Sequence, residues 1–222
     1  MRVDPLLRLL SEHLLAGVER QDLLAGAIGA ASWSVDVSAA TLSFADGPAY
    51  RIDVIGSAAT GPDTWLWAWA NQHLPGDVAA ASGRLRDYGE EHRIAQLTTG
   101  QLPLGEPPDG VDGHLLGLIA APLLGGQAYY LAHNGPQAVL MVIHDRSLRL
   151  GPLTSSVLRT TLITGLGLYQ VGHAGAIRPY LAQRGAFLDD SGPAWWVTTS
   201  DGQATQMRFD QLGRLASLET PG

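Results

Sequence analysis

The stretch Trp65-Leu66-Trp67-Ala68-Trp69-Ala70-Asn71 constrains this chain more than any other. Large and small side chains alternate there with a period of two, and successive side chains of a β-strand point to opposite faces. The spacing predicts a strand over residues 64–71 that sets Trp65, Trp67 and Trp69 in one row. At ~3.3 Å per residue the row spans ~14 Å. Leu66, Ala68 and Ala70 take the other side. Both faces are apolar, so the strand is expected near the middle of its sheet, covered by helices at least on the small-residue side. Each buried aromatic removes ~150–250 Å² from water, and paired rings add ~0.5–1.5 kcal/mol. The ordinary outcome of such a row is a core ladder. The functional one is an aromatic floor under a groove, with the indole N–H groups orienting a ligand. Asn71, at the strand end, either caps the following turn or turns its amide into that groove.

Around this string the periodicity switches repeatedly. Residues 5–25 carry Leu6, Leu9, Leu10, Leu14, Val18 and Leu24 at helical spacing behind Pro5. WSVDVSAATLSF and YRIDVIG alternate as antiparallel strands, with turn composition in ADGP between them. A helix is expected over 77–92 with Asp77 as its N-cap. HLLGLIAAPLLGG reads as another helix, ended by Pro122 and two glycines, and QAYYLAHN and QAVLMVIHD as a hairpin around NGP. Two more helices follow, over 153–170 and at AIRPYLAQRG closed by Gly185, and the tail reads as a three-stranded meander with turns at SDGQ and DQLG. The fold class is therefore α+β, mainly antiparallel sheet covered by helices, in the order α-ββββ-α-α-ββ-αα-βββ. The organisation expected is one domain over 1–222; a division into sub-halves 1–97 and 112–222, joined by the Gly/Pro-rich loop 98–111, stays open.

Composition then removes chemistry. All 14 basic residues are Arg and there is no Cys, which excludes thiolate nucleophiles and ligands, disulfides, Schiff-base lysines and the phosphate-loop lysine. A net charge of −7 with dispersed Arg argues against nucleic acid and anionic membrane as partners. The N-terminus lacks a signal-peptide pattern, so a cytoplasmic location is expected. The seven His show no metal spacing, and the zinc-helix, calcium-loop, nucleophile-elbow and dinucleotide signatures are missing. No cofactor, metal or catalytic residue is expected.

One further polar group stands out. Tyr88, Glu91 and His92 sit at a predicted helix end, where a carboxylate beside an imidazole can do acid–base work. Adjacent helix positions do not face one another, and His92 is as well explained by the helix dipole. His144-Asp145 and Asp189-Asp190 are read as turn-capping or solvated groups, and Tyr129-Tyr130 and Trp195-Trp196 as split between the two faces of strands.

The string TWLWAWAN, the helix carrying LRDYGEEHRI, then AYYLAH and FDQLGRL together resemble an uncharacterised bacterial family, a domain of unknown function marked by W-x-W-x-W-x-N. The resemblance implies no activity and carries over no catalytic residue; it places Trp65, Trp67, Trp69 and Asn71 at the family's motif. The expected function is a non-catalytic binding or protein-interaction module with an aromatic-lined groove formed by Trp65, Trp67, Trp69, Asn71, Tyr88, Glu91 and His92. Its partner is expected to be a protein or a small molecule. The alternative is a metal-independent hydrolase using the Glu91/His92 set near the Trp-rich strand.

Overall fold

Asp4 and Pro5 start the longest helix. The Asp4 carboxylate accepts from the Leu6 N–H at 2.7 Å, Pro5 fills the first turn, and Gly29, at φ 57°, follows the last residue of α1 (Pro5–Ile28). The computed structural model describes residues 4–45 and 47–220, so Asp46 of the expected ADGP turn lies outside the described residues. The described residues form two compact units: Arg20–Arg149 with residues 4–7, and Arg8–Glu19 with residues 150–220. Helix α1 contributes to both.

The first unit is built on a seven-stranded antiparallel sheet. Its strands are β1 (Trp33–Asp36), β2 (Thr41–Phe44), β3 (Ala49–Ala59), β4 (Thr64–Trp67), β5 (Gln101–Pro103), β6 (Ala128–Asn134) and β7 (Gln137–His144). Helices α2 (Gly76–His92), α3 (Ala95–Thr98) and α4 (Gly113–Leu123) fall between β4 and β6. β7 follows one side of β3 over residues 51–59, while β2 and β4 share the other side at residues 49–51 and 56–59. The sheet curls. Trp33 of β1 meets Tyr130 of β6 edge-on at 6.3 Å, and Phe44 meets the same ring at 5.2 Å, although β2, β3 and β7 separate those two edge strands. Leu42, Tyr50, Ile52, Met141 and Ile143 form the buried core on that concave side. The outer edge of β6 is covered by one side chain of α1: Gln21 Nε2 donates to the Tyr129 carbonyl at 3.0 Å, and the Tyr129 N–H donates to Gln21 Oε1 at 3.2 Å.

The Trp-rich string departs from the expected strand. β4 ends at Trp67, and Ala68–Ala70 form a single 3₁₀ turn. The reason is the ladder. Trp67 pairs with Gly56, where β3 bulges, and its N–H finds the Gly100 carbonyl at 3.1 Å just before β5 begins; β3 itself runs on toward Ala49, but its pairing with β4 ends at the bulge and β5 offers no further residue. Trp65 and Trp67 remain on one face, T-shaped at 5.5 Å and fully buried, whereas Trp69 leaves the row. Helical cover falls on both sides: Ala68 is buried with Leu24 of α1 and packs near Val78 and Ala79 of α2. The Trp67 indole donates to the Gln96 carbonyl of α3 at 3.0 Å, while Leu66, on the opposite face, borders a cavity.

Helix α2 begins one residue early, at Gly76, with Pro75 before it; Asp77 is a first-turn acid beside the positive end of the helix, not the cap. The Gly/Pro-rich segment 98–111 lies inside the first unit, where β5 pairs with β4 and Leu104 bridges Val111. The two units divide after Arg149 instead.

The second unit holds α5 (Ser155–Gly165), α6 (His173–Gln183) and a four-stranded antiparallel sheet, β8 (Phe187–Asp189), β9 (Trp195–Thr198), β10 (Ala204–Phe209) and β11 (Leu215–Glu219). β9 to β11 are the expected meander, and β8 adds a fourth strand. At Gly165 a Cβ would lie 2.6 Å from Leu15 Cδ2, so this glycine permits close helix packing. Glu19, 9% exposed, is held by the Tyr180 hydroxyl at 2.9 Å and by Arg184 Nε at 3.0 Å, which balances its burial.

Candidate functional site

The concave face of the first sheet encloses an open cavity of about 290 Å³. Its floor is a cross-strand row. Ala132 pairs with Val139, Val139 with Ser57, and Ser57 with Leu66, so one side chain from each of β6, β7, β3 and β4 lines up on the same face. The β3 bulge makes this possible. Val54 and Ser57 are three residues apart and would face opposite sides of a regular strand, yet the irregularity between Val54 and Gly56 brings both to the cavity. Gly56 is required at that point because a Cβ would meet Trp65 Cζ2 at 2.4 Å and the Leu66 carbonyl at 2.6 Å. The sealed indole of Trp65 thus lies against the back of the cavity floor.

Trp33 and Val35 of β1 make one wall, held by the Trp33–Tyr130 contact. The polar lining is mainly carboxamide: half-buried Asn71 follows the 3₁₀ turn, and Asn134 and Gln137, exposed at the rim as Val37 is, face each other across the last rung of the β6–β7 hairpin. Asn71 Oδ1 accepts from the His73 N–H at 3.0 Å, leaving its amide N–H groups for the cavity. Among the described residues, the Ser57 hydroxyl and the carboxamides of Asn134 and Gln137 have no hydrogen-bond partner. No ionisable side chain among the described residues lines the space.

Of the residues singled out in the sequence, Asn71 alone lines this cavity. Trp65 and Trp67 are sealed on the reverse face of the sheet, and Trp69 lies partly buried beneath the Arg86 guanidinium, 5.3 Å from the ring centre. Tyr88 and His92 stack on one another at 3.9 Å, and the Tyr88 carbonyl lies 2.9 Å from His92 Nδ1. Glu91 is exposed beside them. The structure does not bring Tyr88, Glu91 or His92 to the cavity that Asn71 lines. The histidine–carboxylate pair it does form is His144 Nε2 to Asp53 Oδ2 at 2.9 Å, with Arg84 on the same oxygen at 3.3 Å. Asp145 and Asp189 accept from the backbone N–H groups of Ser147 and Ser191, as turn-capping carboxylates do. No cluster of potential metal ligands occurs among the described residues.

Trp33, Val54, Ser57, Leu66, Ala132, Val139, Asn134 and Gln137 were not legible as a site. They come from strands far apart in the chain; the alternation of WSVDV, YRIDVIG and TWLWAWAN and the hairpin around NGP marked the strands, not the face they share.

These features define a class: an α+β domain whose curled antiparallel sheet holds an apolar cavity with an uncharged polar mouth. The chain belongs to a family of unknown function, DUF6882, whose model matches residues 7–146 and so spans every residue that lines the cavity. No curated protein and no solved structure matches it significantly. No helix among the described residues is long and apolar enough to cross a membrane.

Proposed function

We propose that this chain is a non-catalytic binding module that receives a small, mainly apolar ligand in the concave-face cavity. The carrying observation is the cavity itself: about 290 Å³ of open space in an otherwise closely packed sheet, apolar on floor and wall, with hydrogen-bonding groups confined mostly to its mouth. Small-molecule sites have this composition, and the volume falls just under their ~300–1,000 Å³ range, which suits a small ligand. The acidic net charge of −7 supports a small or uncharged partner over a polyanion.

The test is a titration with N-phenyl-1-naphthylamine, an uncharged dye that fluoresces in apolar surroundings. The wild-type chain enhances its emission saturably, and Val139→Phe, which fills the floor from a half-buried position without deleting core, removes the enhancement while circular dichroism stays unchanged. Equal enhancement by a folded Val139→Phe chain refutes the assignment of the cavity.

A further inference from the structure

We infer that the ligand is an uncharged molecule with an apolar body and one end that both donates and accepts hydrogen bonds, an amide in the best case and an alcohol in the next, held by the Asn71, Asn134 and Gln137 carboxamides. The inference rests on the binding-module reading and specifies its ligand.

Charge is the first argument. With no ionisable side chain among the described lining residues, a carboxylate or ammonium head held at the rim meets no counter-ion there, whereas a neutral polar head needs none. The second is donor and acceptor matching. A carboxamide offers two N–H donors and a carbonyl acceptor, whereas a carboxylate only accepts and an ammonium only donates. Asn134 and Gln137 are opposed across the hairpin end and free of other partners among the described residues, so together they present both kinds of group at the mouth. Asn71 is different. Its oxygen is engaged by the His73 N–H, which leaves it a donor toward the cavity and suits it to a ligand carbonyl. An ionic head matches only one kind of group; an amide matches both kinds. The third argument is polarity along the cavity. Asn134 and Gln137 are exposed while Ala132 and Val54 are buried, so the apolar body enters first and the polar end stays near water.

The experiment is calorimetric titration of the full chain with octanamide, 1-octanol, octanoate and octylammonium at neutral pH. Octanamide binds most tightly, 1-octanol follows, and each ion binds at least about tenfold more weakly than the amide. In Asn134→Ala/Gln137→Ala, which alters exposed hairpin-end side chains, octanamide weakens by about three- to tenfold while the naphthylamine dye binds as before. Octanoate or octylammonium binding as well as octanamide overturns the inference and leaves the cavity assignment standing, as does an unchanged octanamide affinity in the double variant. Dye binding without binding of any octyl compound also overturns the inference alone. Failure of both dye and octyl compounds overturns the binding-module reading with it.

Discussion

Gly56 shows how one residue without a side chain can set both faces of a sheet. It gives Trp65 room on the sealed side and stands at the bulge that aims Val54 and Ser57 into the cavity. Gly56→Ala would place a methyl group 2.4 Å from the Trp65 ring and 2.6 Å from a backbone oxygen, so the β3–β4 pair must shift. The expected loss is ~1–3 kcal/mol of stability, read as a lowered urea midpoint with little change in slope. Dye affinity should fall with it. A variant as stable as wild type would show that the indole swings aside freely. Gly56 was invisible as a constraint because a glycine near the middle of a strand pattern carries no mark of what lies above it. The Trp residues were legible as large apolar groups needing burial, but whether they faced core or cavity depended on which sheet face the helices covered, and no local spacing records that.

At the scale of elements, α6 and β11 are joined through His173, whose Nδ1 accepts from the Leu215 N–H at 2.9 Å. The bond requires the unprotonated nitrogen. Burial, with Arg214 nearby, holds the imidazole below its ordinary value, and Asp210 partly opposes them. Because the native state favours the neutral ring more than the unfolded chain does, the stabilisation is complete above the unfolded value near 6.5 and fades as pH falls below it. Urea midpoints should therefore decline between about pH 7 and pH 5, with a flatter decline in His173→Gln, which cannot titrate. Identical pH profiles for both chains would remove His173 as the cause. Most elements of this size were readable: the stripe of α1, the NGP hairpin and the tail meander follow from helical or two-residue periods. α3, β5 and β8 were not, since three or four residues are too few to display a period. The end of β4 at Trp67 was hidden for another reason: the alternation continues to Ala70, while the pairing with β3 ends at its bulge and β5 has not yet begun.

For the molecule as a whole, the family match ends at residue 146, close to the boundary at Arg149, yet residues Arg8–Glu19 of α1 cluster with the second unit. Leu15 and Ala16 pack with Leu153, Leu158 and Leu162 there. A chain ending at Arg149 would expose that face, and it should elute on size exclusion ahead of its monomer volume, with Leu15→Ser/Ala16→Ser restoring later elution. A monodisperse truncated chain would contradict this. Its sequence did announce the α+β class, whereas the point of division lay beyond reach because it depends on which partners one helix finds along its length.

The contact between Gln21 and Tyr129 reaches further than its two hydrogen bonds suggest. β6 has a neighbour on one side only, and an open strand flank in a curled sheet would serve as a template on which another copy could add its own backbone. By laying a carboxamide, the chemical twin of a peptide group, against Tyr129, the helix takes the place of the next strand at that rung of the flank.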